Sequence, residues 1–174
     1  EKALEPVKDR ILVFVEGNHE YRTRKDTDMH IVEDIADHLG KADLYYPDEA
    51  YLKVKFGRRK SSGSQMVYTI YATHGSGGGK RIGSAVNNLE LLGLSVIADI
   101  YVVGHTHNKV GFKRSIRVPD LHNSNIIQTE RLFVISSSWL SFGGYAARKM
   151  LLPGVKGSAP ITLYGGEKKM EVVI

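Results

Sequence analysis

At 174 residues the chain has the length of one domain and can bury a sizeable core. Its 42% hydrophobic and 25% charged content suits a globular protein in water, and the absence of cysteine excludes disulfides and thiolate metal sites. A net charge of +5 and a pI near 9.3 admit an acidic partner such as nucleic acid, while no apolar run nears the roughly 20 residues that cross a bilayer, so a cytoplasmic location is the default reading.

Taken in order, Glu1 to Asp9 reads as the end of a helix beside an apolar strand, Ile11 to Val15. After Glu16 that strand breaks into Gly17-Asn18-His19-Glu20. There Asn18 can offer a neutral amide oxygen to a cation, and His19 can protonate or hydrogen-bond a leaving oxygen; a plain turn with a capping Asn is the bland alternative. Thr27 to Leu39 reads as one amphipathic helix with Val32, Ile35, Ala36 and Leu39 inward and Gly40 as its stop. His30, Asp34 and His38 share its outer face, which reads as solvated and not as a metal clip.

Tyr51 to Phe56 and Gln65 to Ala72 read as an antiparallel pair around the basic, Ser/Gly-rich turn from Gly57 to Ser64, and the second strand delivers His74. Gly75 to Arg81 is glycine-rich, but it is one residue short of a P-loop and has Arg81 where the Ser/Thr would stand. Its amides, with Lys80 and Arg81, could touch a substrate phosphate, or form a loop without contact. Ile82, Ala85, Val86, Leu89 and Leu92 give the next helix its buried stripe, ended by Gly93.

Ile100 to Val103 is a short apolar strand running into Gly104-His105-Thr106-His107. In an extended segment positions i and i+2 project to one side, so His105 and His107 can share a cavity. Val110 to Val118 and Ile126 to Ile135 read as further strands, and Ile161 to Tyr164 with Met170 to Ile174 as a closing hairpin. Ser136 to Trp139 and Gly143-Gly144-Tyr145 could shape a substrate mouth or simply pack. Two basic groups, Lys53, Lys55, Arg58, Arg59, Lys60 and Lys109, Lys113, Arg114, Arg117, fall in hairpins and read first as solvated surface.

Gly-Asn-His-Glu, the lone His74 and Gly-His-Thr-His, each at a strand's carboxyl end, together resemble the calcineurin-like metallophosphoesterases, whose last three motifs stand here in order. The family's first two motifs, Asp-x-His and Gly-Asp-x-x-Asp, are absent. Asp28-Met29-His30 and Asp120-Leu121-His122 stand after the Gly-Asn-His-Glu motif and lack the leading strand, and no Gly-Asp dipeptide occurs.

The resemblance implies an α/β fold, an αββα sandwich of two mixed sheets, with residues 1–174 forming a single, incomplete domain whose amino-terminal strands are missing. It implies two divalent cations, manganese first, with iron, zinc or nickel as alternatives. Asn18, His74 and His105 would bind one, His107 the other, and His19 would serve the leaving group. Two such cations roughly 4 Å apart activate a shared water for in-line attack on a phosphate ester. The substrate leans toward phosphodiesters, nucleotide or nucleic acid, with this fragment alone inactive. A degenerate, partner-binding relative and a basic nucleic-acid-binding module are the alternatives, and oligomeric state stays open.

Overall fold

The apolar runs become the centre of a mixed sheet. The computed structural model describes residues 2–58, 63, 65–77, 79, 81–139, 141, 143–144, 148, 150 and 154–174. A 3-10 helix, Glu5–Arg10, leads to β1 (Phe14–Val15), α1 (Asn18–Thr27), α2 (Ile31–His38) and β2 (Tyr45–Tyr46). Then come β3 (Glu49–Arg58), β4 (Gln65–Thr73), α3 (Ile82–Ser95), β5 (Ile100–Val103), β6 (Val110–Pro119), β7 (Ile126–Ile135), β8 (Ile161–Leu163) and β9 (Met170–Val172).

Five strands form one sheet in the order β3-β4-β5-β7-β6. Its three central strands are parallel, with β3 and β6 antiparallel at the edges. Central parallel strands are covered on both faces, which is why Ile100–Val103 and Leu132–Ile135 are unbroken apolar runs. One face packs on α3 through Tyr71, Ala85, Leu89, Tyr101, Phe133 and Ile135. Gly93 lets the helix come close: a Cβ there would lie 2.6 Å from the Phe133 ring. The other face, with Tyr68, Ile100, Leu132 and Val134, packs on Met170 and its neighbours in the antiparallel β8–β9 hairpin.

Tyr68 ties that hairpin down. Its ring is fully buried, and its hydroxyl accepts from the Lys169 amide at 3.0 Å while facing the carbonyls of Tyr164 at 2.7 Å and Glu167 at 2.8 Å. The Lys169 amide also donates to the Glu167 carbonyl at 2.9 Å, so Tyr68→Phe takes its donor chiefly from the Tyr164 carbonyl and is expected to cost about 1–3 kcal/mol. Urea unfolding would give that loss, and amide exchange would place it in residues 161–172.

The architecture is mixed α/β, as expected, but the sheets are distributed differently. Among the described residues there is one five-stranded mixed sheet, and β1–β2 (parallel) and β8–β9 make two-stranded ones. The Ile11 to Val15 run contributes only Phe14–Val15 as strand, pairing with Tyr45–Tyr46, and Leu12 is 58% exposed. The expected first helix is a 3-10 helix shifted to Glu5–Arg10. The helix expected from Thr27 to Leu39 is shorter, α2 at Ile31–His38, because Thr27 closes a separate and unexpected helix, α1, whose C-cap Asp28 is left-handed with φ of 59°. Ala36 and Leu39 of the expected stripe are buried. No helix among the described residues is long and apolar enough to cross a membrane.

Candidate functional site

Parallel pairing brings two of the motifs to one edge. Thr73 of β4 is in register with Val103 of β5, so His74 and Gly104 leave the sheet side by side. A Cβ on Gly104 would lie 3.5 Å from the His74 carbonyl oxygen, at ordinary contact distance, so the two loops run close together. The third motif comes from the start of α1, where Gly17 is the N-cap and Asn18 the first helical residue, so Gly-Asn-His-Glu is a helix start and not a turn. Gly17 is also wedged against the site: a Cβ there would collide with the Glu20 carboxylate and lie 3.2 Å from His74 Cε1.

Three donor atoms converge. His74 Nε2 lies 2.9 Å from Asn18 Oδ1 and 3.1 Å from His105 Nδ1, with the two rings edge-on at 79°. His105 Nε2 donates to the Gly77 carbonyl at 2.9 Å, an acceptor that can only accept. That bond fixes the tautomer and leaves the Nδ1 lone pair aimed at His74. Ligand atoms about 2.1 Å from one cation stand about 3 Å apart when the angle at the cation is near 90°, and the observed spacings fit such a set. The set is neutral, and among the described residues no group of three His, Cys, Asp or Glu could hold a metal ion; three ligands are reached only by counting the Asn18 amide.

His107 does not reach the site the way an extended strand would bring it. His105 and His107 both have positive φ, 63° and 57°, and sit in the left-handed region. For a non-glycine residue that costs roughly 1–2 kcal/mol each, a strain that concentrates at functional loops. His107 nonetheless belongs to the cluster electrically: burial, then His105 and His19, lower its pKa below the usual histidine value. Burial and then His105 also lower His74, with Glu20 pulling the other way. Neutral imidazoles keep their lone pairs for a ligand. His19 is exposed on the first turn of α1.

Beside the cluster opens a cavity of about 700 Å³ that shares Asn18 and His74 with it and runs along α3 over Leu89 and Leu92. The Ser136 to Trp139 stretch does not line it; Trp139 is 78% exposed, and Tyr145 lies outside the described residues. In the glycine-rich loop, Lys80 and Gly78 are outside the described residues, and the Gly77 carbonyl serves His105. His30, now the N-cap of α2, bonds Glu33 at 2.8 Å, and His38 in the helix bonds the Asp34 carbonyl at 2.6 Å, so neither joins the cluster. Asp120 and His122 close the exposed β6–β7 turn.

The second basic group is partly neutralised, with Lys113 paired to Glu130 at 2.8 Å and Arg114 paired to Glu90. Of the first group, Arg59 and Lys60 lie outside the described residues. Sequence reasoning missed three contributors: the Gly77 carbonyl, the Glu20 carboxylate beside His74, and Thr106, whose hydroxyl is buried with no hydrogen-bond partner among the described residues. Only Glu20 left a signal, since a residue two after Asn18 in a helix start stays near it. Compared with protein-family models, with curated proteins and with solved structures, the chain finds no match in any of the three.

Proposed function

We propose that this chain carries the divalent-metal site of a calcineurin-like metallophosphoesterase, in that family's sandwich fold, and serves the hydrolysis of phosphodiesters. The observation that carries the reading is the convergence of Asn18 Oδ1, His74 Nε2 and His105 Nδ1 at 2.9 and 3.1 Å, from one helix start and two strand ends. Those three would hold one cation. A second cation would have His107 to meet it, though among the described residues no group of three His, Cys, Asp or Glu could hold a metal ion. A bound divalent cation supplies Lewis-acid activation of water and of a phosphoryl oxygen.

The chain's own residues do the rest. Gly77 holds His105 in the productive tautomer, and burial keeps His74 neutral. His19 offers a proton to the departing oxygen from the exposed first turn of α1. Gly77 matters through its backbone. With φ at 129°, where side chains are strained, and a Cβ that would lie 2.9 Å from Asn88 Nδ2, Gly77→Ala must move the loop. It is expected to weaken manganese binding by about 10–100-fold, as loss of an orienting partner does, with the circular dichroism unchanged.

The test is manganese-stimulated hydrolysis of bis(p-nitrophenyl) phosphate by the full chain. Abolition by His105→Ala supports the reading. A protein that binds no divalent cation, or a variant as active as its parent, sinks it. Salt-sensitive nucleic-acid binding that survives both His74→Ala and His105→Ala would point to a basic binding module instead.

A further inference from the structure

We propose that the cavity beside the Asn18–His74–His105 cluster receives a nucleoside stacked on Tyr21, making a nucleotide-sized phosphodiester, and not a nucleic-acid polymer, the ligand of this site. This rests on the phosphodiester reading for its chemistry, though the binding it predicts can be measured without it.

The cavity's size and lining carry the argument. About 700 Å³ lies within the roughly 300–1,000 Å³ of small-molecule sites. Because its wall includes Asn18 and His74, a phosphate held at the cluster has one of its alcohol groups at the cavity's mouth. The floor is apolar, from Leu89, Leu92, Val103 and Ile135, while Asp48, Asn88 and Thr106 add polar points. A flat ring with apolar faces and a hydrogen-bonding edge matches that mixture. Thr106 offers the clearest place for such an edge, because buried hydroxyls ordinarily find a partner and this one has none among the described residues.

Tyr21 supplies the platform. Asn18 and Tyr21 are three residues apart on α1 and share a face, so the ring stands at the rim beside the cluster, 52% exposed. Arg24 braces it, with its guanidinium 5.1 Å from the ring centroid and held in turn by the buried Glu16 at 3.4 Å. An exposed aromatic ring, fixed from one side at a cavity mouth, is what stacks a base.

Charge argues against a polymer. Binding a nucleic-acid backbone depends on Lys and Arg that neutralise several phosphates. No Lys or Arg lines the cavity among the described residues, whereas Glu16 and Asp48 do, and Lys113 and Arg114 are already paired with carboxylates.

Two measurements test this on the full chain. In metal-free buffer, titration calorimetry with thymidine, an uncharged nucleoside, should give saturable binding, weakened about 5- to 150-fold by Tyr21→Ala and retained by Tyr21→Phe. With manganese, the ratio of kcat/KM for thymidine 5′-(p-nitrophenyl phosphate) over methyl p-nitrophenyl phosphate should exceed one and fall by a similar factor in Tyr21→Ala. Absence of thymidine binding, or equal binding by the parent and Tyr21→Ala, overturns the inference; so does equal use of the two esters. If thymidine binds through Tyr21 but neither ester is cut, the nucleoside site stands and the hydrolytic reading falls.

Discussion

His74→Ala is expected to lower manganese affinity by at least about 100-fold, taking metal-stimulated phosphodiester hydrolysis with it. The imidazole is the middle of the three-atom set, within hydrogen-bond distance of both Asn18 and His105. Losing a partner that merely orients a ligand costs 10–100-fold, so losing the shared ligand itself should cost no less. The ring sits at a strand end and is only partly buried, so the folded state should survive and its unfolding midpoint should change little. His30→Ala and His122→Ala are the matched controls: His122 is exposed, His30 partly so and bonded to Glu33, and neither belongs to the cluster. Calorimetric titration with manganese separates the three variants.

The pH dependence of that affinity has a defined sign. Burial, then the neighbouring His105, lowers His74, and burial lowers His107 in the same way, both from the ordinary histidine value of 6.5. A folded-state pKa below the unfolded one means that the neutral form is the one folding favours. Stability from these rings is therefore whole above about pH 6.5 and erodes as the pH falls through that value. Manganese binding, which also needs neutral imidazole, should hold through neutral pH and fall only on the acid side.

What the sequence disclosed, and what it hid, follows from which physical signals are local. Ile100–Val103 was readable because a central parallel strand must be apolar on both faces. The β3–β4 pair was readable because an edge strand alternates, as Leu52, Val54 and Phe56 do with Lys53 and Lys55. Helix α1 was not. From Asn18 to Thr27 its only large apolar residue is Tyr21, so no stripe announces it, and it is held by Gly17 at one end, Asp28 at the other and the Arg24–Glu16 pair between. The donor atoms of Asn18, His74 and His105 could be anticipated because strand ends deliver them. The Gly77 carbonyl could not, since every residue carries one and only the folded loop selects it. Nor could the left-handed turns at His105 and His107, which histidine adopts only when surrounding structure imposes them.

The largest loss of stability is expected from Phe133→Ala, about 3–5 kcal/mol. Phe133 is 3% exposed on β7 and lies between two aromatic neighbours in register with it. Tyr101 is stacked at 4.6 Å and 7° on one side, and Phe112 at 5.0 Å and 6° on the other. The same ring fills the space that Gly93 leaves open on α3, so removing it opens a cavity where helix and sheet meet. Neither neighbour can close that gap. Tyr101 is pinned by its hydroxyl, which donates to the Val96 carbonyl at 2.7 Å and accepts from the Ala98 amide at 3.1 Å. Against a typical total of 5–15 kcal/mol, this loss removes a large share of the net stability. It should lower Tm by about 6–20 °C for a domain of this size. The site would feel it as well, because β5 and β7 fix the level at which His105 leaves the sheet. Thermal unfolding followed by circular dichroism measures the first effect. If Phe133→Leu, which keeps most of the volume, loses as much as the alanine variant, then the aromatic stack and not the filled space is what holds α3 to the sheet.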